Sequence, residues 1–483
     1  MEEPSLRDKT VKGVGWSAAD AFLAQGVSFI VGLVLARLLS PEEYGLIGIV
    51  LIFTTVLLSV VDCGFSNALI RKLKVTDDDY NTLFIFNILI SLAMYGLLYA
   101  GAPLIAHFFD RPQLVPLTRV MGLLLIFQSL SIVQYTILSR NVDFKTKTKA
   151  SLISAIISGV VGIIMAFLGY GVWSLVFQQL ARQLLYSVFL WFYIKWWPKL
   201  VFCIASFKYM WGFGWKLLVS GLLDKIWAQL YQVVVGKFYS AATLGQYSRS
   251  KEYANIFSSN LTTIVQRVSY PVLSQVQDDK ERMVHAYRRV IKTTMFITAI
   301  IMISMGAVSE PLIYCMIGPQ WHQAATFLPL ICISMSLYPL HAINLNMLQV
   351  QGRTDIFLYL EIVKKVIAIA PICLGIFINI FWMLVGTIIT GVISFFLNSY
   401  YTGRKLNYSS WMQLKDIAPS YGIAAIIAIS VYFFKYLPFS NWIILPIQII
   451  VGVAVFFVVC ENTQMEEYVE VKEMVKQYVS KFK

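Results

Sequence analysis

Two stretches of this chain carry ionisable and amide side chains at helical spacing inside apolar surroundings. In the first, Lys216, Ser220 and Asp224 recur every four residues, with Lys225, Gln229 and Gln232 on the adjoining strip and Trp227 and Tyr231 beside them. In the second, Arg249, Glu252, Ser259, Thr263 and Gln266 share a face, flanked by Tyr247, Lys251, Asn255 and Arg267. Spacings of three and four stack side chains along one side of a helix. A charge near the centre of a bilayer costs at least about 2.5 kcal/mol, so such faces must meet water or each other. Two readings follow. Asp224 or Glu252 could neutralise a Lys or Arg and lock the two helices together. Alternatively the faces line a hydrated cavity, and five cations (Lys216, Lys225, Arg249, Lys251, Arg267) against two anions leave positive charge over after complete pairing. That surplus suits an anionic ligand.

The setting is a membrane. The 483 residues are 58% hydrophobic and only 13% charged, with a mean hydropathy of +0.69; a soluble chain would be about a quarter charged. The net charge of +13 is spread in short clusters between apolar runs, which excludes a basic nucleic-acid face. Six scattered Cys, with no Cys-x-x-Cys and no His at ligand spacing, read as small core residues. Gly13-Val14-Gly15 lacks a preceding strand and a third glycine, and neither a Walker loop, a zinc spacing nor a nucleophile elbow is present, so the chain reads as no enzyme and as needing no bound cofactor. The polar N-terminus and long first apolar stretch predict a retained helix rather than a cleaved signal.

Hydropathy and loop punctuation predict an all-α membrane protein of about fourteen spans, near 13–37, 45–69, 81–108, 117–138, 150–168, 172–194, 211–236, 243–272, 290–317, 323–350, 355–378, 380–402, 417–436 and 441–460. Alternate loops hold the Lys and Arg, from Arg7, Lys9 and Lys12 through Arg140 and Lys145 to Arg404 and Lys405, which places both termini in the cytoplasm. The opposite loops hold little beyond Arg37, Arg111, Lys237 and Lys435.

The chain also repeats itself. Arg37-Leu38-Leu39-Ser40-Pro41-Glu42-Glu43-Tyr44-Gly45 is echoed by Lys237-Phe238-Tyr239-Ser240-Ala241-Ala242-Thr243-Leu244-Gly245, each 21 or 22 residues after the Trp of a Gly-x-Gly-Trp turn. Parallel repeats in a polytopic protein place a site between them. The architecture reads as an N-terminal lobe (1–194), an interfacial amphipathic connector (195–210), a C-terminal lobe (211–403), a linker (404–416), an extra helix pair (417–460) and a cytoplasmic tail (461–483). The first helix adds Asp20 and Gln25. Arg37 and Lys237 occupy equivalent outer positions, as gate residues or as cations snorkelling to the interface. Glu361 with Lys364 and Lys365 has the spacing of a local ion pair.

Several motifs together resemble a known family: Thr10-Val11-Lys12-Gly13-Val14-Gly15-Trp16, Leu39-Ser40-Pro41-Glu42-Glu43-Tyr44-Gly45, Asp62-Cys63-Gly64-Phe65-Ser66-Asn67-Ala68-Leu69-Ile70 and Gln351-Gly352-Arg353. They look like the Wzx-type lipopolysaccharide and exopolysaccharide flippases of the MOP superfamily, which also holds the multidrug MATE exporters. The resemblance implies two six-helix lobes around a cavity lined by the first, second, seventh and eighth helices. It implies transfer of an undecaprenyl-diphosphate-linked oligosaccharide across the bacterial inner membrane, with other polysaccharide assembly proteins and membrane lipids as partners. The cations would attract the diphosphate, and Trp227, Tyr231 and Tyr247 would contact sugar. H+ or Na+ coupling would fall on Asp20, Asp224 or Glu252. A MATE-type drug exporter would favour an acidic cavity and twelve spans, and a membrane glycosyltransferase or polymerase would need a large extramembrane loop. Neither fits as well.

Overall fold

A computed structural model describes residues 23–62, 64–276 and 279–480, apart from the side chains of 264, 267, 268, 270–272, 354, 405, 474, 475 and 477–480. The chain forms two compact units, Met1–Gly245 and Gln246–Lys483. The described residues form helices joined by loops, with no strand among them. Among them, nine helical stretches are long and apolar enough to cross a membrane.

The first unit contains α1 (Leu23–Leu38), α2 (Pro41–Asp62), α3 (Phe65–Arg71), α4 (Asp77–Phe108), α5 (Leu114–Met121), α6 (Leu123–Arg140), α7 (Phe144–Phe167), α8 (Val172–Tyr193), α9 (Ile204–Phe238) and the first residues of α10 (Ala241–Gln275). Local chemistry sets the helix starts. Ser40 Oγ accepts from Glu43 N at 3.3 Å while the Glu43 carboxylate accepts from Ser40 N at 2.6 Å, a capping box with Pro41 following it. The repeat caps α10 in the same place, Ser240 Oγ accepting from Thr243 N at 3.0 Å. Thr76 and Asp79 box α4, and Lys72 adds an ion pair to Asp79 at 2.7 Å.

The α2–α3 rod bends at Gly64, whose φ of +67° suits glycine. Beyond the bend, Phe65 stacks on Phe86 with centroids 4.7 Å apart and meets Phe207 and Trp211 edge-on, which seats the beginning of α9. The connector before α9 runs without helix over residues 194–203. It is pinned to α4 by Lys199 N on Asn81 Oδ1 (2.8 Å) and Cys203 N on Thr82 Oγ1 (3.0 Å).

The second unit holds the rest of α10, then α11 (Lys280–Ala307), α12 (Ser309–Ile317), α13 (His322–Ser336), α14 (Tyr338–Val350), α15 (Thr354–Ile367), α16 (Ile369–Phe377), α17 (Ile380–Leu406), α18 (Ser410–Tyr432), α19 (Asn441–Thr463) and α20 (Glu466–Ser480). Several stretches read from hydropathy as single spans are broken rods: α11 and α12 part at Val308, α13 and α14 at Leu337, α15 and α16 at Ala368. Arg288 of α11 donates to both oxygens of Asp416 on α18 at 2.5 and 2.6 Å, and Tyr408 adds its hydroxyl at 2.7 Å. The tail helix α20 docks on α11 through Lys292 to Glu466 (2.8 Å) and Arg289 to Glu470 (2.8 Å), with Tyr468 buried.

The repeated glycines meet. A Cβ on Gly45 would overlap the Ala241 carbonyl, and one on Gly245 would overlap the Pro41 carbonyl, so each copy of the loop receives the other's backbone. Gly45→Ala is therefore expected to destabilise the protein by at least about 1–3 kcal/mol, the cost of overpacking. Gly96→Ala, where a Cβ would find nothing within 4 Å, should be neutral or slightly stabilising. Thermal unfolding of the detergent-solubilised variants distinguishes them, and equal midpoints would refute the steric account.

Candidate functional site

α9 is packed at both ends and open in the middle. Met210 and Gly214 are buried near its start and Val234, Val235 and Gly236 near its end, whereas Lys216, Ser220, Asp224 and Lys225 are all exposed. Asp224 is not free; it has an interaction partner. Trp227, Gln229, Tyr231 and Gln232 are half-buried. Gln229 turns into an apolar groove of about 670 Å³ between α2, α4 and α9, where its Oε1 is buried.

α10 has two faces. Gln246 donates from Nε2 to the Gln320 carbonyl at 2.7 Å and accepts from Ala324 N at 2.9 Å. Ser250 Oγ donates to the Ala324 carbonyl and Ser258 Oγ to the Met335 carbonyl, both at 2.8 Å. These small polar residues, with Ala254 and Thr262, bury one side against α13 and let the backbones approach. The other side presents Glu252, Asn255, Thr263 and Gln266, all exposed. Arg249 donates to Glu252 at 2.8 Å; the Arg side chain is 13% exposed and the Glu 57%. Lys251 Nζ lies 5.9 Å from the centroid of the buried Tyr247 ring.

Arg249 and Glu252 thus pair within α10 rather than from one helix to the other, and Lys216 and Lys225 are exposed on α9. The Glu361–Lys364 pair also forms. Gln25 is exposed on α1, and Arg37 is exposed at its end with a partner of its own. Asp20 and the Arg267 side chain lie outside the described residues.

Lys237 has a partner that periodicity did not reveal. Its Nζ donates to Asp110 Oδ2 at 2.9 Å and lies 5.2 Å from the Phe108 centroid. Asp110 ends the turn after α4 at φ 54°, a left-handed conformation that Asp tolerates. Arg111 in the same turn reaches Glu42 at 3.3 Å. A charge in a short turn signals nothing by spacing; only the fold brings it to Lys237. Among the described residues no cluster of three or more His, Cys, Asp or Glu could hold a metal ion.

Described residues without a strand, apolar helices long enough to cross a membrane and polar faces on two consecutive helices are the build of a transporter. The chain's fold is like that of solved transporters, one of them of the MOP superfamily. It aligns with the inward closed structure of lipid II flippase MurJ at a TM-score of 0.69 and 18% identity, covering 92% of this chain and 99% of that one. With an inward-facing MATE family multidrug transporter of the MOP superfamily the TM-score is 0.61 at 15% identity, over 81% and 99%. By sequence it is 26% identical to succinoglycan biosynthesis transport protein ExoT of Rhizobium meliloti (strain 1021), over 77% of this chain and 76% of that one. The family described as polysaccharide biosynthesis protein matches residues 34–326. The chain belongs to that family.

The Lys237 ammonium holds the Asp110 carboxyl below its ordinary value of 3.8. A depressed carboxyl pKa contributes stability above the unfolded value and loses it as the pH falls through the folded one. A thermal double-mutant cycle with Lys237→Ala and Asp110→Ala should therefore show coupling at neutral pH that persists to about pH 5 and vanishes only below 3.8. Additive shifts at neutral pH would mean that the pair does not form.

Proposed function

We propose that this protein moves a lipid-linked oligosaccharide between the leaflets of the bacterial inner membrane by alternating access of its two repeat lobes. The observation that carries this reading is the set of exposed cations on α9, within a family of polysaccharide biosynthesis proteins. The topology that goes with it is fourteen crossings with both termini cytoplasmic, organised as the repeat lobes 1–194 and 211–403 with the additional helix pair.

In this mechanism Lys216, Lys225, Arg249, Lys251 and Arg267 attract the diphosphate of an undecaprenyl carrier. An exposed cation in partial contact with lipid is poorly solvated, so a phosphate gains more from it than it would in bulk water. Ser220, Gln232, Asn255 and the aromatic groups Trp227 and Tyr231 meet sugar hydroxyls and faces, while the polyprenyl chain stays in the hydrocarbon; Tyr247, expected from the sequence to join them, is buried and packs behind Lys251 instead. Gln25 extends the polar lining, whereas Gln229, expected from the sequence to do the same, turns into the apolar groove of α2, α4 and α9. Transport is coupled to H+ or Na+ through Asp20, Asp224 or Glu252, and Arg37 and Lys237 act at the outer gate. A drug exporter has only fold likeness in its favour.

The test is reconstitution with a fluorescent undecaprenyl-diphosphate oligosaccharide, scoring leaflet exchange with and without a pH or Na+ gradient. No exchange under any gradient would end the flippase reading. Lys216→Ala and Arg249→Ala should each slow exchange about tenfold, as expected for loss of one charge-assisted contact, with membrane abundance unchanged. Loss of abundance in place of rate would assign these residues to structural pairing.

A further inference from the structure

A second pocket, of about 680 Å³, opens in the unit Gln246–Lys483 where α11 ends, α12 turns, α13 begins and α18 finishes. Nothing in the transport mechanism uses it. Its rim is polar, with Glu310, His322, Tyr432 and Lys435, and its floor is apolar, with Ile303, Ile333 and Ala428. From His322 to Ile333 the pocket follows α13 for about 16 Å at the helical rise. It is elongated, charged at one end and oily at the other.

The rim holds both signs of charge. Lys435 Nζ donates to the Tyr432 hydroxyl at 2.8 Å and sits 4.0 Å from Glu310 Oε2. The Lys side chain is 21% exposed and the Glu 48%. At 4.0 Å the pair is at the limit of contact, and the ammonium otherwise lies over the Tyr432 and Tyr436 rings, 4.0 and 5.0 Å from their centroids, contacts weaker than a phosphate oxygen would make. A ligand that brings a phosphate to Lys435 and an N–H cation to Glu310 satisfies both at once. A sugar would leave its hydroxyls unpaired on the floor.

We infer that this pocket binds a membrane phospholipid with a phosphoethanolamine headgroup. The phosphate accepts from Lys435 and the Tyr432 hydroxyl. The primary ammonium, two carbons away, donates to Glu310, and one acyl chain lies along Ile303, Ile333 and Ala428. A choline headgroup has the same charge without N–H donors, and a glycerol headgroup has no cation, so the rim discriminates by hydrogen bonding as well as by charge. On the topology proposed above this is the outer leaflet.

Native mass spectrometry of the full chain, released from micelles with equimolar phosphatidylethanolamine, phosphatidylcholine and phosphatidylglycerol of matched chains, tests the inference. The ethanolamine lipid should be retained over the other two by roughly fivefold, the fold-change of a partly exposed ion pair. Glu310→Gln should abolish that preference while keeping total lipid, Lys435→Gln should lower retention of all three, and Ala428→Trp should block the floor. If Ala428→Trp does not fold, the two rim variants still decide. The inference is overturned by equal or greater retention of phosphatidylglycerol in the unaltered protein. It is also overturned by a preference that survives both rim substitutions, or by displacement of the lipid with a soluble oligosaccharide.

Discussion

The start of α2 crosses the start of α10 with no side chain between them. Gly45 faces the Ala241 carbonyl and Gly245 faces the Pro41 carbonyl, an isologous contact in which residue i of one copy meets residue j of the other and the reverse. Only glycine on both sides permits that approach. The constraint reaches outward, because both helices are capped by serines one residue before the crossing, so cap and contact cannot be adjusted separately. Gly236 extends the close packing, its missing Cβ leaving room for Phe109 and Ile49. The turn that carries Asp110 is thereby brought to Lys237. A duplicated loop that first looks like a relic of gene history packs, within the first unit, against its own echo.

The polar faces obey a second constraint, that hydrocarbon cannot satisfy a hydrogen bond. α10 resolves it by division of labour. Gln246, Ser250 and Ser258 spend their donors on backbone carbonyls at α13, so that side is both polar and dry. Its opposite side keeps Glu252 and Asn255 exposed. α9 resolves it differently, by anchoring its ends in aromatic and aliphatic packing and leaving the charged middle in the open. Helices of ordinary hydropathy need neither device.

These differences explain what could be read in advance. Apolar runs, basic loops and the duplication are properties of the chain itself, and they led directly to the helical membrane fold and its family. The polar stripes on α9 and α10 were visible as spacing, and so was the Glu361–Lys364 pair. Breaks at Val308, Leu337 and Ala368 were not, since hydropathy averages over a turn and nothing in the average marks where a rod parts. Asp110 was invisible for the opposite reason. It lies in a short turn beside Arg111, 127 positions from its partner, and acquires meaning only when the Gly45 crossing brings the two together. The two-sidedness of α10 is half legible: its exposed stripe shows in the spacing, whereas nothing in the sequence marks Gln246, Ser250 and Ser258 as buried donors.

The Arg249–Glu252 pair bears on how the proposed cation site would work. A permanently paired arginine is a poor ligand site, and a permanently bare one is costly in a membrane. With the Arg249 side chain 13% exposed and that of Glu252 57%, the pair can be approached from the Glu252 side. A diphosphate carries more charge than a carboxylate and more acceptor oxygens, so it can displace Glu252 from the guanidinium without a large penalty. In the proposed mechanism Arg249 thus passes from one acceptor to another, so that neither a bare guanidinium nor a permanently quenched one is left in the membrane.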